Sequence, residues 1–444
     1  MNIKINNSLP KYEQYKDSGV EWLGEIPEHW EIKRLKYLFK EINERSNDGT
    51  EELLSVSHYT GVTLKKDKIE DGGILSTAES LEGYKKVSEN DLVINIMLAW
   101  NGSMGFSAYD GITSPAYCIY RLKKKQVTQF FHYLLRTELY KSEFKRNSSG
   151  VIESRLRLYS DDFFKIISIL PPISEQTLIA QFLDRKTALI DQAIGIKEKQ
   201  IELLKEHRQI LIHKAVTRGL NPDVKMKDSG VEWIGEVPEG WEVARVKQYS
   251  NKISKGTTPS TEGRSILDIG PIRYIKAENI QDGYITNSPA HFIDEKTNAM
   301  IQRSQLEEND ILFVIAGATL GKIAIVGKDH IPSNTNQAVA FVRPNSKVIP
   351  QYLAIWLSSS IIKELTWLVA VQSAQPNLSM ENLGNFSFAL PSISEQKTIL
   401  HHINITSDKI AAAISLKVQE IEKLKEYKAT LINSAVTGKI KVNP

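Results

Sequence analysis

Residues 16–34 read KDSGVEWLGEIPEHWEIKR, and residues 227–245 read KDSGVEWIGEVPEGWEVAR. A second matched pair follows, with LPPISEQ at residues 170–176 and LPSISEQ at residues 390–396. The stretches between the matched segments of each half share almost no identity. Because the repeat period is a little over 200 residues, it indicates a duplicated domain rather than a solenoid of short repeats. The sequence therefore predicts a repeated frame that carries two diverged domains.

The composition is that of an ordinary globular chain with room for two or three domains. Its 444 residues are 41% hydrophobic and 25% charged, and the net charge is +3. Bulk charge therefore does not indicate a nucleic-acid-binding protein, although it is compatible with a local basic surface. The single cysteine, Cys118, excludes an internal disulfide framework or a cysteine-built zinc site. The N-terminus is not apolar and no apolar run reaches membrane length, so we expect a cytoplasmic protein.

Two long helices are the clearest structural prediction. In each half, apolar or aliphatic-stem side chains recur at alternating spacings of four and three residues, which is the seam of a coiled coil. The seam positions of the first helix are Ile179, Leu183, Lys186, Ile190, Ile194, Lys197, Ile201, Leu204, Arg208, Leu211 and Ala215. Those of the second helix are Ile399, Ile403, Thr406, Ile410, Ile414, Lys417, Ile421, Leu424, Lys428, Leu431 and Ala435. The shared register predicts that the helices pair, and antiparallel pairing would suit two readers of separated DNA half-sites.

The ends of the helices and the class of the diverged domains follow from local signals. Ser174 and Ser394 are predicted N-caps, and Gly219 and Gly438 are predicted to end the two helices. The diverged domains are predicted to be mixed α/β, so the chain as a whole is α+β. Strands are predicted at 91–98, 116–122, 156–170, 311–316, 323–326, 338–343 and 378–390, and helices at 129–146 and 350–368.

The chain carries few signs of catalytic chemistry. Residues 317–323 (GATLGKI) are one residue short of a phosphate-binding loop, and Ile323 stands where Ser or Thr must reach magnesium. Residues 221–224 (NPDV) lack the aromatic side chain that would stack on a flipped base. His401 and His402 are adjacent on a helix, so they point in different directions and cannot share a metal. The sequence therefore favours binding over catalysis, with no catalytic residue and no metal site predicted.

Polar and basic loops of the diverged domains are the candidate DNA contacts. Arg and Lys side chains contact phosphates or guanine edges, and Asn and Gln can pair with adenine. The candidates in the first half are Asn101, Ser103, Lys123, Lys124, Arg146, Asn147, Arg155 and Arg157. Those in the second half are Lys255, Thr257, Thr258, Lys322, Asn334, Asn336, Gln337, Gln375 and Asn377. The alternative interpretation, that these are ordinary solvated loops, stays open.

Four tryptophans occupy matching places in the two copies of the repeated segment. They are Trp22 and Trp30 in the first copy and Trp233 and Trp241 in the second. Side chains that read a target would differ between the halves. Identical tryptophans therefore indicate either shared packing or a surface for a common partner, and we take them as candidate partner-binding residues.

The ordered set of repeated motifs resembles the specificity subunit of type I restriction-modification systems. The resemblance covers essentially the whole chain. It is carried by the SGVEWLGEIPEHW and SGVEWIGEVPEGW segments, by LPPISEQ and LPSISEQ, and by AGATLGK and NQAVAFVRP in the second half. Glu-Asn-Asp stands at residues 89–91 and 308–310, where Gly-Asp is common in relatives.

The resemblance implies a division of the chain into six segments. These are an N-terminal conserved segment (1–35), target recognition domain 1 (36–172), a central conserved helix (173–222), a repeated conserved segment (223–246), target recognition domain 2 (247–392) and a C-terminal conserved helix (393–444). The two helices would form an antiparallel coiled coil within a pseudo-two-fold internal repeat. Each domain would read one half of an asymmetric bipartite site.

The resemblance also implies where the chemistry resides. Two methyltransferase subunits would bind this chain and use S-adenosylmethionine to methylate adenine in double-stranded DNA. Restriction subunits that use ATP and magnesium would join in some systems. This chain would be a non-catalytic subunit without a cofactor, in the cytoplasm of a bacterium or archaeon, acting in phage defence.

Two alternatives belong to other functional classes. A self-contained DNA-modifying enzyme requires a cofactor motif, and the sequence contains no recognisable one. A coiled-coil scaffold that never touches DNA would show no sequence preference. Binding of S-adenosylmethionine by the chain alone would favour the first alternative, and absence of any preferred DNA site would favour the second.

Overall fold

The computed structural model describes residues 10–58, 60–68, 80–152, 155–370 and 376–443. The chain forms two compact units, each with its own hydrophobic core. The first unit combines Met1–Lys197 with Val418–Pro444, and the second is Glu198–Lys417. Because this division cuts both long helices near their middle, each helix contributes one half to each unit.

The first unit contains short strands, four short helices and the beginning of a long helix. Its strands are β1 (Tyr15–Asp17), β2 (Glu25–Pro27), β3 (Glu31–Arg34), β4 (Phe39–Ile42), β5 (Leu54–Ser57), β6 (Gly61–Leu64), β7 (Lys85–Val87), β8 (Leu92–Asn95), β9 (Met104–Phe106), β10 (Gly111–Thr113), β11 (Tyr117–Leu122) and β12 (Ile167–Leu170). Its helices are α1 (Leu35–Leu38), α2 (Thr128–Leu135), α3 (Glu138–Arg146), α4 (Ser160–Lys165) and the first part of α5 (Ile173–Arg218).

The second unit repeats this order with additional strands. Its strands are β13 (Met226–Asp228), β14 (Glu236–Pro238), β15 (Glu242–Arg245), β16 (Ser250–Lys255), β17 (Ile272–Ile275), β18 (Ile280–Gln281), β19 (Tyr284–Ile285), β20 (Phe292–Ile293), β21 (Gln305–Leu306), β22 (Ile311–Val314), β23 (Ile323–Ile325), β24 (Ser333–Thr335), β25 (Val339–Pro344) and β26 (Ser387–Leu390). Its helices are α6 (Glu295–Met300), α7 (Pro350–Leu357), α8 (Ser360–Ala370), α9 (Met380–Asn385) and the first part of α10 (Ile393–Val436).

An antiparallel four-stranded sheet forms the centre of each unit. Its strand order is β4-β11-β8-β9 in the first unit and β16-β25-β22-β23 in the second. The inner strands β8 and β22 are buried along their whole length, as expected for apolar segments covered on both faces. The identical strand orders extend the duplication into domains whose sequences have diverged.

Smaller sheets distinguish the two units. In the first unit β5 pairs with β6 and β7 pairs with β10. In the second unit the strands β20-β17-β24-β21 form another four-stranded sheet, in which β17 and β24 run parallel. The additional strands lie between β16 and β25 in the sequence. Each diverged domain therefore has its own copy of the central sheet, and the two domains differ in the strands attached to it.

The long helices pair antiparallel within each unit. In the first unit the Lys197 ammonium lies 2.6 Å from Glu420, and the Lys428 ammonium lies 2.7 Å from Asp191. Residue numbers on one helix rise as those on the other fall, which is the antiparallel pattern. The same holds in the second unit, where one small cavity is lined by Arg208, Leu211, Ile212, His402, Ile403, Thr406, Ser407 and Ile410. The predicted α+β class with two long antiparallel helices is thereby confirmed.

The predicted seam is correct at most positions. Every seam residue of α10 is buried or half-buried, and so are nine of the eleven on α5. Lys186 and Arg208 are exposed instead, and the neighbouring Thr187 is buried near the first of them. The helix ends at Gly219 and Gly438 are also correct, because both glycines have a positive φ (73° and 75°) that ends a helix without strain.

Three details of the predicted secondary structure are wrong. The apolar stretches 156–170 and 378–390 are not continuous strands, because α4 and α9 precede the strands β12 and β26. The predicted helices 129–146 and 350–368 are each broken into two. Ser174 and Ser394 lie inside the first helical turn, since the helices begin one residue earlier. The side chain of Ser392 caps α10, accepting a hydrogen bond from the backbone N–H of Glu395 at 3.2 Å.

Across the described ranges, no single helix is long and apolar enough to cross a membrane. The bent pair α7 and α8, with 60° between its axes, has the length and composition to do so when taken together. Most of its large apolar side chains, including Tyr352, Trp356 and Ile362, belong to the core of the second unit, whereas Trp367 and Leu368 are exposed. Core packing therefore accounts for most of its apolar composition.

Candidate nucleic-acid interface

The two repeated motifs of each half contact each other. The indole N–H of Trp30 donates to Glu175 at 3.1 Å, and that of Trp241 donates to Glu395 at 3.0 Å. Each glutamate comes from the Ser-Glu-Gln motif at the start of a long helix. Each tryptophan comes from the repeated segment. The charge of the glutamate suits the positive end of the helix dipole. The repeated sequence is therefore explained as one duplicated structural joint.

The glutamine of the same Ser-Glu-Gln motif makes further hydrogen bonds at this duplicated joint. Gln176 accepts a hydrogen bond from the backbone N–H of Val127 at 3.1 Å and donates to the carbonyl of Pro171 at 2.8 Å. Gln396 repeats both contacts, with Ile349 at 2.8 Å and Pro391 at 2.9 Å. Both glutamines are fully buried, so these bonds satisfy polar groups that would otherwise destabilise the core. They connect each long helix to the start of α2 or α7.

The prediction that all four tryptophans bind a partner is wrong for Trp30 and Trp241. Their side chains are 0% and 2% exposed, so neither can reach another molecule in this conformation. The packing alternative holds for these two residues. Trp22 is half-buried and packs edge-on against Tyr140 at 5.1 Å between ring centroids, and Trp233 is half-buried against the second core. For Trp22 and Trp233 a partner contact stays a prediction.

The Glu-Asn-Asp sequences form a second duplicated feature, at the start of β8 and β22. Asn90 and Asn309 have a positive φ (67° and 71°), a conformation that glycine adopts freely and asparagine tolerates. Asn or Gly therefore suits these two positions, and most other residues would be strained there. The buried Asp310 that follows is held by a two-pronged contact from Arg343, at 2.8 Å to each oxygen. Burial nevertheless raises the pKa of the Asp310 carboxyl.

Most of the first-half candidates meet at one end of the central sheet, where β8 finishes and β11 begins. We call this the loop end of the first unit. The backbone N–H of Leu158 donates to the carbonyl of Ile96 at 2.9 Å, which joins the segment before α4 to the loop after β8. The loop end gathers Asn101, Arg146, Asn147, Arg155 and Arg157.

The side chains at this loop end are partly fixed in place. The buried Glu143 accepts hydrogen bonds from Arg146 at 2.8 Å and from Asn147 at 2.7 Å. The Arg146 side chain is still 69% exposed, so its guanidinium is held at the surface with donors facing solvent. Arg155 and Arg157 are also exposed. An exposed guanidinium group can form two parallel hydrogen bonds with a phosphate or with a guanine edge.

Three first-half candidates are not exposed side chains of this loop end. Ser103 is 2% exposed in the turn before β9, so its predicted DNA contact is wrong in this conformation. Lys123 and Lys124 directly follow β11 and lie at the opposite end of the sheet, because strand β11 runs away from the loop end. Both lysines are exposed and line a groove at that end.

The second unit has an equivalent loop end, where β22 finishes and β25 begins. The backbone N–H of Leu378 donates to the carbonyl of Ile315 at 2.9 Å, which repeats the bond between Leu158 and Ile96. The Thr258 hydroxyl is hydrogen-bonded to the Gln337 amide across this end. The candidates gathered here are Lys255, Thr257, Thr258, Lys322, Asn336, Gln337 and Asn377.

Three second-half candidates differ from the others. Asn334 is fully buried, and its amide donates to Asn298 at 2.9 Å and to the carbonyl of Ile301 at 3.3 Å. Its predicted DNA contact is wrong, because the side chain already connects β24 to α6 and the turn after it. Gln375 lies outside the described residues. Lys322 is half-buried and donates to Gln281 at 2.7 Å, and the glycine-rich 317–323 turn connects the antiparallel strands β22 and β23.

The structure adds candidates that sequence reasoning missed. At the first loop end the Lys145 ammonium lies 5.7 Å from the centroid of the Trp100 ring, and Val151 is 95% exposed. At the second loop end Trp367 and Leu368 are 44% and 68% exposed on the last turns of α8. Exposed aromatic and apolar side chains beside polar loops suit stacking or wedging against bases. The sequence could have indicated Trp100 and Trp367 as candidates. The chain has seven tryptophans, and these two lie close to polar turns.

Comparison with known proteins places these features in one family. A family model described as the type I restriction modification DNA specificity domain matches twice, over residues 27–206 and 238–426. The MjaVIII specificity subunit of Methanocaldococcus jannaschii is 26% identical over 437 residues and 94% of each chain. The EcoBI specificity subunit of Escherichia coli is 30% identical over 342 residues, which cover 72% of this chain and 67% of that protein. The two family matches fall on the two halves of the duplication.

Solved structures show the same fold. A structure described as the basis of complex assembly and conformational transition of the type I R-M system has a TM-score of 0.69 at 14% identity and covers 93% of this chain and 98% of its own. The HsdS subunit from Thermoanaerobacter tengcongensis has a TM-score of 0.53 at 15% identity and covers 95% and 99%. At these identities the likeness concerns the fold alone.

Proposed function

This chain belongs to the type I restriction modification DNA specificity family, and we propose that it selects the DNA sequence on which partner subunits act. The observation that carries the proposal is the pair of loop ends. Equivalent ends of two equivalent sheets gather polar and basic side chains, and those side chains differ between the halves. A duplicated scaffold with different loops fits an asymmetric, two-part DNA target.

The chemistry belongs to the partners in this proposal. We assign no catalytic residue and no cofactor to this chain, and its relatives are named as specificity subunits of restriction enzymes. Two methyltransferase subunits would supply S-adenosylmethionine and adenine methylation. Restriction subunits, where the system has them, would supply ATP, magnesium and cleavage. The complex would act on double-stranded DNA in the cytoplasm of a bacterium or archaeon.

The paired helices set the distance between the two half-sites in this proposal. Two seam lysines are held by acids of the facing helix, in the pairs Lys197–Glu420 and Asp191–Lys428. Polar pairs at such positions fix the register of a coiled coil. A fixed register makes the helix pair a spacer of constant length, and the bases between the half-sites would go unread. The six segment boundaries given above remain predictions within this scheme.

The decisive experiment compares adenine methylation in a host that expresses this chain with its methyltransferase partner and in the same host without the chain. We expect one split, asymmetric methylated motif with an unread centre, present only when the chain is present. Methylation by the purified chain with S-adenosylmethionine alone would instead support a self-contained enzyme. A methylome that does not depend on the chain would support a scaffold without DNA binding and would contradict the proposal.

A further inference from the structure

A basic groove lies at the opposite end of the first central sheet from the loop end. It has a volume of about 680 Å³ and forms where β3, β12 and α1 meet the segment after β11. The groove is lined by Ile32, Lys33, Arg34, Tyr37, Leu38, Lys123, Lys124, Gln126, Ile167 and Leu170. The loop end and this groove are therefore separate places on one sheet.

The groove combines positive charge with one exposed aromatic ring. The ammonium of Lys123 donates to the carbonyl of Lys36 at 2.6 Å, which holds that lysine across the groove. Tyr37 is 61% exposed, and the ammonium of Lys36 lies 4.8 Å from the centroid of its ring. Glu31 offsets part of the charge, because it pairs with Lys33 at 2.6 Å. Arg34 makes no ion pair within the described ranges.

The second unit has the same backbone at this place but lacks most of the charge. The backbone N–H of Lys123 donates to the carbonyl of Leu38 at 2.8 Å, and that of Asn345 donates to Tyr249 at 2.9 Å. This equivalence places Asn345 opposite Lys123 in the duplication, and Ser346 opposite Lys124. In the repeated segment Ala244 stands at the position of Lys33, and Gln248 at that of Tyr37. Arg34 is matched by Arg245, so the groove is more basic in the first half because of its lysines.

That asymmetry bears on what the groove binds. A protein partner that docks on the repeated frame in the same way in both halves would meet the same charge twice. DNA with an asymmetric target is a ligand that differs between the halves. Clustered lysines beside an exposed tyrosine also suit phosphate and sugar more than base edges, because an ammonium is a point charge without a fixed hydrogen-bonding plane.

We propose that this groove, with Lys33 and Lys124 as its main charges, binds the phosphate backbone of the DNA and anchors the first half independently of sequence. The proposal rests on the proposed DNA-selecting function. The six residues of β11 separate the groove from the loop end, which is roughly 20 Å at about 3.3 Å per residue. For DNA running along this strand, the anchored phosphates lie about six base pairs from the bases read at the loop end.

The test replaces two lysines with the residues that the second copy carries, in the variant Lys33→Ala/Lys124→Ser. The matched control removes two exposed lysines of the second unit, Lys328→Ala/Lys347→Ser. Binding to cognate and scrambled duplexes is measured over a range of salt with the full chain and its methyltransferase subunits. Each lost phosphate contact lowers the slope of log affinity against log salt by about 0.9. We expect the groove variant to lose about 1.8 in slope and the same factor of affinity on both duplexes.

A second measurement locates the contact. Ethylation of phosphates about six base pairs from the first half-site should weaken DNA binding by the unaltered protein. DNA binding by the groove variant should not change on ethylation. An unchanged salt slope, or a loss confined to the cognate duplex, would overturn the proposal. So would normal DNA binding combined with lost methyltransferase binding, which would identify the groove as a protein-docking surface. If the unaltered complex prefers no split site at all, the failure belongs to the proposed function instead.

Discussion

At the scale of single residues, one glutamate makes different hydrogen bonds in the two copies of the repeated frame. Glu175 accepts hydrogen bonds from the Tyr12 hydroxyl at 2.8 Å, from His29 at 2.5 Å and from the Trp30 indole at 3.1 Å. Its counterpart Glu395 accepts from the Trp241 side chain alone in the described part of the chain. Burial would raise the pKa of the Glu175 carboxyl, but its hydrogen bonds outweigh burial and lower it.

This difference predicts unequal costs for the same substitution. Glu395→Ala should destabilise the protein by about 1.5–2 kcal/mol, and Glu175→Ala by about 3 kcal/mol, because hydrogen bonds to a charged acceptor are worth about 1.5–3 kcal/mol. Since the pKa of Glu175 is lower in the folded state, its contribution is present above the ordinary pKa of 4.5 and is lost as pH falls below it. Urea unfolding of both variants at several pH values measures this. Equal costs at all pH values would contradict the prediction.

A half-buried histidine gives a second prediction at this scale. Burial, and next the guanidinium of Arg136, lower the pKa of His132 from 6.5 to about 4. The unfolded chain therefore binds a proton that the folded chain does not, and stability falls as pH drops from about 6.5 to about 4. The difference amounts to roughly 3 kcal/mol at about 1.4 kcal/mol for each tenfold change.

The variant His132→Gln keeps a hydrogen-bond acceptor for Arg136 and cannot take up this proton. Its unfolding free energy should depend less on pH over that window than that of the unaltered protein. The control is His207→Gln on the exposed part of α5, which should leave the pH profile unchanged. Thermal unfolding monitored by circular dichroism between pH 4 and pH 7 would measure both. Parallel profiles for all three proteins would show that His132 is not the group involved.

At the scale of elements, the sequence predicted what depends on periodicity and missed what depends on short local structure. The long helices and the strands β8, β11, β22, β23 and β25 appear where the pattern placed them, within a few residues. The six-residue helices α4 and α9 are too short to establish a helical period, and they carry apolar residues that also suit a strand. Tertiary contacts decided their form.

The candidate site was predictable to a similar degree. Polar loop composition identified most residues of both loop ends, but composition does not show depth, which is why Ser103 and Asn334 proved to be buried. It also does not show which end of a strand a loop occupies, so Lys123 and Lys124 could not be separated from the other candidates. Both kinds of information arise from the packing of residues distant in sequence.

The helix pair offers a test of the seam charges. Lys428 and Asp191 face each other at 2.7 Å with 30% and 56% of their side chains exposed. Lys428→Glu should place two negative charges together and cost about 0.5–1 kcal/mol, a modest value because solvent screens the pair. The double variant Lys428→Glu/Asp191→Lys should recover most of that loss. A double-mutant cycle by urea unfolding measures the coupling, and additive costs would show that the pair does not contribute to register.

At the scale of the whole molecule, helix length becomes a property of the DNA target. Each long helix runs through both units, so a change in helix length changes the structure that links the two diverged domains. Seven residues inserted after Lys197 and seven after Lys417 preserve the heptad register of the pair. They lengthen each helix by roughly 10 Å at about 1.5 Å per residue. That length corresponds to about three base pairs of duplex.

We therefore predict that the double insertion widens the unread centre of the methylated motif by about three base pairs and leaves both half-sites unchanged. Two matched controls isolate the cause. Seven residues inserted in one helix alone leave that length unpaired, and two residues inserted in both helices move the apolar seam off its register, so both should abolish methylation. Sequencing of methylated adenines in a host expressing each variant gives the spacing directly. Full activity of the double insertion at the original spacing would show that the paired helices do not set the distance.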